Sequence, residues 1–458
     1  MPSYNLKHKL QIPKNYFDIL NLKFYISMNY YSLNKQAPNV TFDQAVIKGI
    51  APDKGLYFPE HIPSLPDNFW DTIETLSRNE IAYQVMQPFI GDSIDESSLR
   101  ENIADVLSFD FPLVELEDNV ASLELFHGPT MAFKDVGARF MARCLSYFLE
   151  KQNQTEEVTV LVATSGDTGG AVARGFYKVP GIQVVILYPS GKVSDIQEKQ
   201  LTTLGENITA LEVGGTFDDC QAMVKQAFLD EEITSKRQLT SANSINVARW
   251  LPQSLYYIFT YLELKKKGKE LVFSVPSGNF GNICAGMVAH HMGMPVQQFV
   301  AAVNSNNTIP RFMKSETYAP TKTVATISNA MDVSDPSNFI RVLQLFENDR
   351  NTLSTKFTTQ SYCDNATRAA MKDIYERLDY TADPHGAIGY LGLKDYLQNH
   401  PDAFGVFLET AHPVKFLPAV EPVVGKITDL PEQIRGLMYK EKVASNISDY
   451  EGLKKSLL

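Results

Sequence analysis

Five short runs constrain this chain most: Val158-Thr159-Val160-Leu161-Val162-Ala163, Val184-Val185-Ile186-Leu187-Tyr188, Leu271-Val272-Phe273-Ser274-Val275, Phe299-Val300-Ala301-Ala302-Val303 and Gly405-Val406-Phe407-Leu408-Glu409-Thr410. Each is apolar with little alternation and is separated from the next by helical patterns. A strand that is apolar on both faces must be covered on both, which is the condition of a parallel sheet between layers of helices. From about Phe111 onward the chain therefore reads as α/β. Before it, Met28 to Asp105 reads as a small α/β unit. Asn29-Tyr30-Tyr31-Ser32 is extended, Thr41-Phe42-Asp43-Gln44-Ala45-Val46 is an N-capped helix start, Gly55-Leu56-Tyr57-Phe58-Pro59 turns into a short strand, and Asp67 to Asp105 is mostly helical. The expected division is residues 28–105 and 106–458. Residues 1–27 are expected to be a disordered extension or an untranslated leader before Met28. A mitochondrial presequence is the weaker alternative, because Arg is absent there.

Charge narrows the function classes. Forty-two Lys and Arg against 53 Asp and Glu leave a net charge of -11, which argues against nucleic acid and anionic membrane surfaces as partners. Such a protein binds a phosphorylated metabolite only through a local anion site of helix N-termini, hydroxyls and a few cations. Cys144, Cys220, Cys284 and Cys363 are far apart with no CxxC, as expected of reduced, buried thiols in a reducing compartment, the cytoplasm. No apolar run approaches a transmembrane length, and no His spacing suits a metal; His290 and His291 are adjacent and face different sides of one helix. No G-x-S-x-G elbow supports a serine nucleophile. The run Lys265-Lys266-Lys267-Gly268-Lys269 reads as a solvated helix end.

Four stretches carry chemistry. In Phe126-His127-Gly128-Pro129-Thr130-Met131-Ala132-Phe133-Lys134-Asp135, Gly128-Pro129 forces a turn, and a helix follows with Val136, Phe140, Met141, Cys144, Leu145 and Phe148 on one stripe. Lys134 then sits at a helix start. Desolvation there would lower its pKa toward Schiff-base chemistry and pairing with a carboxylate would raise it; a snorkelling lysine is the plainer reading of this stretch alone. Thr164-Ser165-Gly166-Asp167-Thr168-Gly169-Gly170 and Ser277-Gly278-Asn279-Phe280-Gly281-Asn282 each follow a strand and open a helix, and both suit an anion or a simple tight turn. Ser241-Ala242-Asn243-Ser244-Ile245-Asn246-Val247-Ala248-Arg249 offers amides, hydroxyls and a guanidinium for an oxyanion, or an N-cap beside a surface arginine.

Together, the motifs from His127 to Asp135, Ala163 to Gly169 and Gly278 to Asn282, with Thr410-Ala411-His412-Pro413…Lys415-Phe416, resemble threonine synthase. The opening from Tyr30 to Pro59 is similar to the N-terminal domain of the longer bacterial and fungal branch of that family. The resemblance runs from Met28 to near the C-terminus. It implies pyridoxal-phosphate (PLP) fold type II, a two-lobed parallel-sheet core with a small N-terminal α/β domain, and PLP as cofactor. It assigns Lys134 as the cofactor-bearing lysine and general base, and Gly278, Asn279, Phe280, Gly281 and Asn282 as the cradle of the cofactor phosphate. Thr410 becomes the neutral hydroxyl partner of the pyridine nitrogen. Thr164, Ser165, Asp167, Thr168, Asn243, Ser244 and Arg249 become the substrate-binding set. Asp167 departs from the Asn common in this fold type; an anion there repels the cofactor's phenolic oxygen unless it is protonated or turned away.

The implied reaction turns O-phosphohomoserine and water into L-threonine and phosphate. The alternatives are a phospho-lyase or serine/threonine dehydratase giving 2-oxobutyrate, and a non-catalytic PLP-binding homologue. The oxyanion set argues against a dehydratase, and the complete lysine, loop and threonine set against a non-catalytic chain. A monomer or homodimer acting on a small-molecule substrate is expected. Asp383-Pro384-His385-Gly386-Ala387 is either a plain capped turn or a segment near the active site.

Overall fold

The computed structural model describes residues 28–152, 156–428 and 430–458; the expectations for residues 1–27 lie outside them. Among the described residues, two sheets form the body. The first has the order β11 (Phe357–Ser361), β10 (Gln298–Val303), β9 (Leu271–Pro276), β12 (Phe404–Glu409), β4 (Val120–Glu124) and β3 (Leu113–Glu117). All its pairings are parallel except β3 with β4. The second, wholly parallel, has the order β13 (Ser445–Ile447), β7 (Ile208–Val213), β6 (Ile182–Pro189), β5 (Val158–Ala163) and β8 (Gln238–Ser241). The five apolar runs are β5, β6, β9, β10 and β12, buried at nearly every position, as two-sided cover requires.

The sheet order sets the chemistry in place. β9, β12 and β4 are parallel neighbours, so their carboxyl ends share one edge. The Ser277–Phe280 loop, Thr410 and the segment leading to Lys134 leave the sheet side by side there. β5 and β8 pair in the second sheet and send the Thr164–Gly166 and Ala242–Asn246 loops from their own carboxyl ends. Ligands of open α/β sheets bind at such edges.

The N-terminal unit pairs β1 (Tyr30–Ser32) antiparallel with β2 (Tyr57–Pro59) and adds the helices Phe42–Lys48, Arg78–Ile90 and Glu96–Val106. It braces the second lobe. Phe58 stacks on Trp250 with ring centroids 6.1 Å apart, and the Val46 carbonyl accepts a hydrogen bond from Asn246 Nδ2 at 2.9 Å. Two local expectations change. Thr41 occupies the N-cap, but its hydroxyl donates to Asp43 instead of accepting from the helix. Lys265 is not simply solvated: its Nζ donates to the carbonyls of Trp70 at 2.7 Å and Asp71 at 3.2 Å, because this helix end abuts the N-terminal unit. Of the cysteines, Cys144, Cys220 and Cys284 are buried free thiols, whereas Cys363 is on the surface.

Candidate active site

Lys134 is the first residue of the helix Lys134–Lys151, whose expected stripe from Val136 to Phe148 is buried. The turn before it is held by Asp135, which accepts from the Thr130 N–H at 2.9 Å and from the Thr130 hydroxyl. Met131 takes a left-handed φ of 54° in that turn. With Asp135 so committed, the Lys134 amine is desolvated instead of paired with its neighbour. It sits 5.2 Å from the Phe133 ring and 4.0 Å from Asp167. Burial pushes it down to about 8; Asp167 opposes that shift, and the cations Lys415 and Arg249 add to it. An amine near neutrality can act both as nucleophile and as base.

Asp167 is neither protonated nor left as a bare anion. Its Oδ1 lies 2.6 Å from Lys415 Nζ and accepts from Gln197 Nε2 at 2.9 Å. Burial alone would raise this carboxyl, but Lys415 and Lys134 hold it well below the usual carboxylate range. Gly166, at φ 131°, leaves room for the Gln197 carboxamide, which a Cβ would meet at 2.5 Å. Thr164 Oγ1 accepts from the N–H groups of Gly166 and Gly169 at 2.9 and 2.8 Å, so this hydroxyl shapes the loop. Ser165 and Thr168 beside it are half-buried.

Across the cleft, Asn279 Nδ2 donates to Ser244 Oγ at 2.7 Å, joining the loops of the two sheets. Asn243 Nδ2 donates to the Ala163 carbonyl at 3.1 Å and ties the ends of β5 and β8. Phe280 takes a left-handed φ of 61° and packs its ring on Phe339 at 5.5 Å. Asn282 turns inward, bonded to Tyr257 and to Gln253 Oε1 at 3.1 Å. These two residues thus offer the cleft their backbone only. Gly278 admits no side chain, since a Cβ would stand 2.8 Å from Met331 Cα. The Asp383–His385 segment is a buried capped helix start whose imidazole also accepts from the Ala330 N–H at 3.2 Å, backing Met331 and so Gly278.

Arg249 is 2% exposed and is no surface arginine. Its Nη1 donates to the Ala242 carbonyl, its Nε has no partner, and no carboxylate pairs with it among the described residues. Gly137 allows this approach, because a Cβ there would strike the Arg249 carbonyl. Burial lowers the guanidinium to about 10, still charged at neutral pH. Buried Arg341 also leaves its Nε unpartnered, but it spends both Nη groups on the carbonyls of Tyr57, Ser244 and Ile245 and on Asn338, fixing the loop that carries Arg249. Sequence reasoning misses this brace, and it assigns no role to Lys415, which is visible there only as part of a motif.

Residues 112–404 match the family described as pyridoxal-phosphate dependent enzyme, residues 29–107 that described as threonine synthase N terminus, and residues 386–456 that described as threonine synthase, C-terminal. A threonine synthase of Buchnera aphidicola subsp. Baizongia pistaciae is 43% identical over 434 residues, 94% of this chain and 100% of that one. The chain belongs to the threonine synthase family. The crystal structure of threonine synthase from Escherichia coli is similar at TM-score 0.88 and 42% identity, covering 94% of this chain and 99% of the other. A PLP-bound threonine synthase from Brucella melitensis is similar at TM-score 0.87 and 34% identity, covering 94% and 99%. Membership makes the chain a PLP-dependent lyase of threonine biosynthesis, an enzyme with a small-molecule substrate. Among the described residues no helix is long and apolar enough to cross a membrane.

The residues present fit PLP. The helix Gly281–His291 starts without a side-chain cap, so its first amides stay open to an anion at the end of β9. Thr410, 7% exposed, has a hydroxyl without a hydrogen bond among the described residues, at the end of the neighbouring β12. Lys134 follows from β4, next again in the sheet. An anion cradle, a neutral hydroxyl and an amine near neutrality are the three contacts that a phosphorylated pyridine aldehyde needs.

Proposed function

We propose that the chain converts O-phosphohomoserine and water to L-threonine and phosphate at the edge shared by the two sheets. In this reading Lys134 bears the cofactor, the Gly278–Asn282 backbone cradles the cofactor phosphate, and Thr410 meets the pyridine nitrogen. Thr164, Ser165, Asp167, Thr168, Asn243, Ser244 and Arg249 surround the substrate. The observation that carries the substrate class is Arg249: a buried cation with no carboxylate in ion-pair contact among the described residues, close enough to Lys134 to disfavour its protonation, is an anion site beside the reacting amine.

When bound, PLP supplies an electron sink for negative charge developing on the substrate carbons. The chain's own residues do the rest. Lys134, neutral in part at pH 7, takes the proton from Cα. Loss of a proton at Cβ then breaks the Cγ–O bond, and phosphate leaves toward Arg249, whose charge is worth most in a site closed to water. A proton delivered to Cγ forms the methyl group, water adding at Cβ gives the hydroxyl, and a proton returned to Cα completes L-threonine. A neutral Thr410 hydroxyl at the pyridine nitrogen would not hold the ring protonated, which would weaken the electron sink and disfavour transamination. Buried thiols support a reducing cytoplasmic setting, and we assign a monomer or homodimer. The test is a product assay with O-phosphohomoserine and PLP that quantifies phosphate, threonine and 2-oxobutyrate together. Phosphate matched by threonine is expected. Phosphate matched by 2-oxobutyrate would make the site a phospho-lyase, and no phosphate release would overturn the substrate.

A further inference from the structure

Lys415 is a fully buried lysine, 0% exposed, that belongs to neither the cofactor set nor the substrate set. It lies in the turn Pro413–Phe416 after Thr410, where His412 caps the turn by accepting from the Val414 N–H at 3.1 Å. Two contacts fix its Nζ: Asp167 Oδ1 at 2.6 Å in one lobe and the Thr130 carbonyl at 3.0 Å in the other. Thr130 is held in turn by Asp135, and its carbonyl also accepts from Gln200 Nε2 at 3.0 Å. The second oxygen of Asp167 lies 4.0 Å from Lys134 Nζ. One carboxylate thus stands between two ammonium groups, bonded to one of them.

The electrostatic consequence is specific. A buried carboxylate with Lys134 as its only cation would favour the protonated amine and remove its capacity as a base. A carboxylate already neutralised by a closer cation exerts far less of that pull, and the second cation disfavours protonation of the first. We propose that Lys415 is a positioning residue that acts through Asp167: it neutralises the carboxylate, aims its free oxygen at Lys134, and leaves the Lys134 nitrogen able to release its proton. The other charged groups facing this trio do not replace it. Arg249 adds like charge near Lys134, Asp135 is committed to Thr130, and Tyr256 donates to the Phe133 carbonyl. This also explains how the site tolerates an aspartate where an asparagine is common.

This role for Lys415 rests on the assignment of Lys134 as the cofactor-bearing residue. The test is the pH midpoint of the bound cofactor's visible absorbance, which follows the proton on the Lys134 nitrogen, measured on the full-length holoenzyme. Lys415→Met should raise that midpoint by about one unit, a tenfold change in the proton equilibrium. Lys415→Arg, which keeps the charge, should stay near the parent. Lys415→Met combined with Asp167→Asn should return toward it, because the unbalanced anion is gone. A Lys415→Met protein that loses thermal stability while its midpoint is unmoved would reduce Lys415 to a structural role and overturn the proposal. So would a double variant left at the Lys415→Met value. If Lys415→Met does not fold, Asp167→Asn alone decides: the midpoint should fall, and an unchanged midpoint overturns the proposal. Failure of the underlying assignment looks different, since Lys134→Ala would then keep the bound-cofactor spectrum.

Discussion

Lys134→Ala should abolish turnover, by roughly 10⁴-fold or more, and remove the cofactor's visible absorbance shift. The magnitude follows from the two roles proposed for one nitrogen. A general base alone contributes about 10²–10⁴ in rate, and the same amine also makes the covalent attachment. The variant should remain folded, because Asp167 keeps its 2.6 Å partner Lys415 and its bond from Gln197 when Lys134 is truncated. Circular dichroism and thermal melting separate this outcome from simple unfolding. Retained turnover in a folded variant would sink the assignment.

Arg249→Ala is the second large effect, and its signature is a split between substrate and cofactor. Truncating one partner of a buried, hydrogen-bonded charge pair costs about 2–5 kcal/mol of binding, so KM for O-phosphohomoserine should rise about 100-fold or more. The cofactor, whose phosphate is proposed to sit on the Gly278–Asn282 backbone, should bind nearly as before. Stability should fall little, because an arginine with an unpartnered Nε and no ion-paired carboxylate among the described residues is a buried cost in the unliganded protein, and removing it offsets the space left behind. A titration of PLP beside substrate kinetics reads the split. Equal loss of both would place Arg249 at the cofactor, or make it purely structural.

Both predictions concern residues that stand out in the sequence for physical reasons, unlike several others at the site. The strands β5, β6, β9, β10 and β12 are legible because two-sided burial forces a continuous apolar run. The Lys134 helix is legible from its stripe and from Gly128-Pro129. Partnership is not. Asp135 follows Lys134 in sequence, yet the helix turns it back onto Thr130, and the carboxylate that reaches Lys134 is Asp167, across the cleft. For Asp167 the sequence suggests protonation or a turned-away side chain. The molecule adopts a third solution, an ion pair with Lys415, which is 248 positions later in the chain. Phe280 and Asn282 belong to the cradle loop by motif, but their side chains serve the core and only their backbone faces the cleft. Arg341 carries little signal. Apart from the Asn338 side chain, its partners are carbonyls of Tyr57, Ser244 and Ile245, and a carbonyl is present at every residue, so little in the pattern of side chains announces it.

The central claim is that Lys134 bears the cofactor, with Lys415 beside it serving only to balance Asp167. The most direct measurement is reduction of the holoenzyme with borohydride, which makes the lysine–cofactor bond permanent, followed by peptide mass mapping. The added mass should fall on the peptide containing Lys134, and the peptide containing Lys415 should be unmodified. Cofactor mass on Lys415, or on any lysine other than Lys134, would contradict the account.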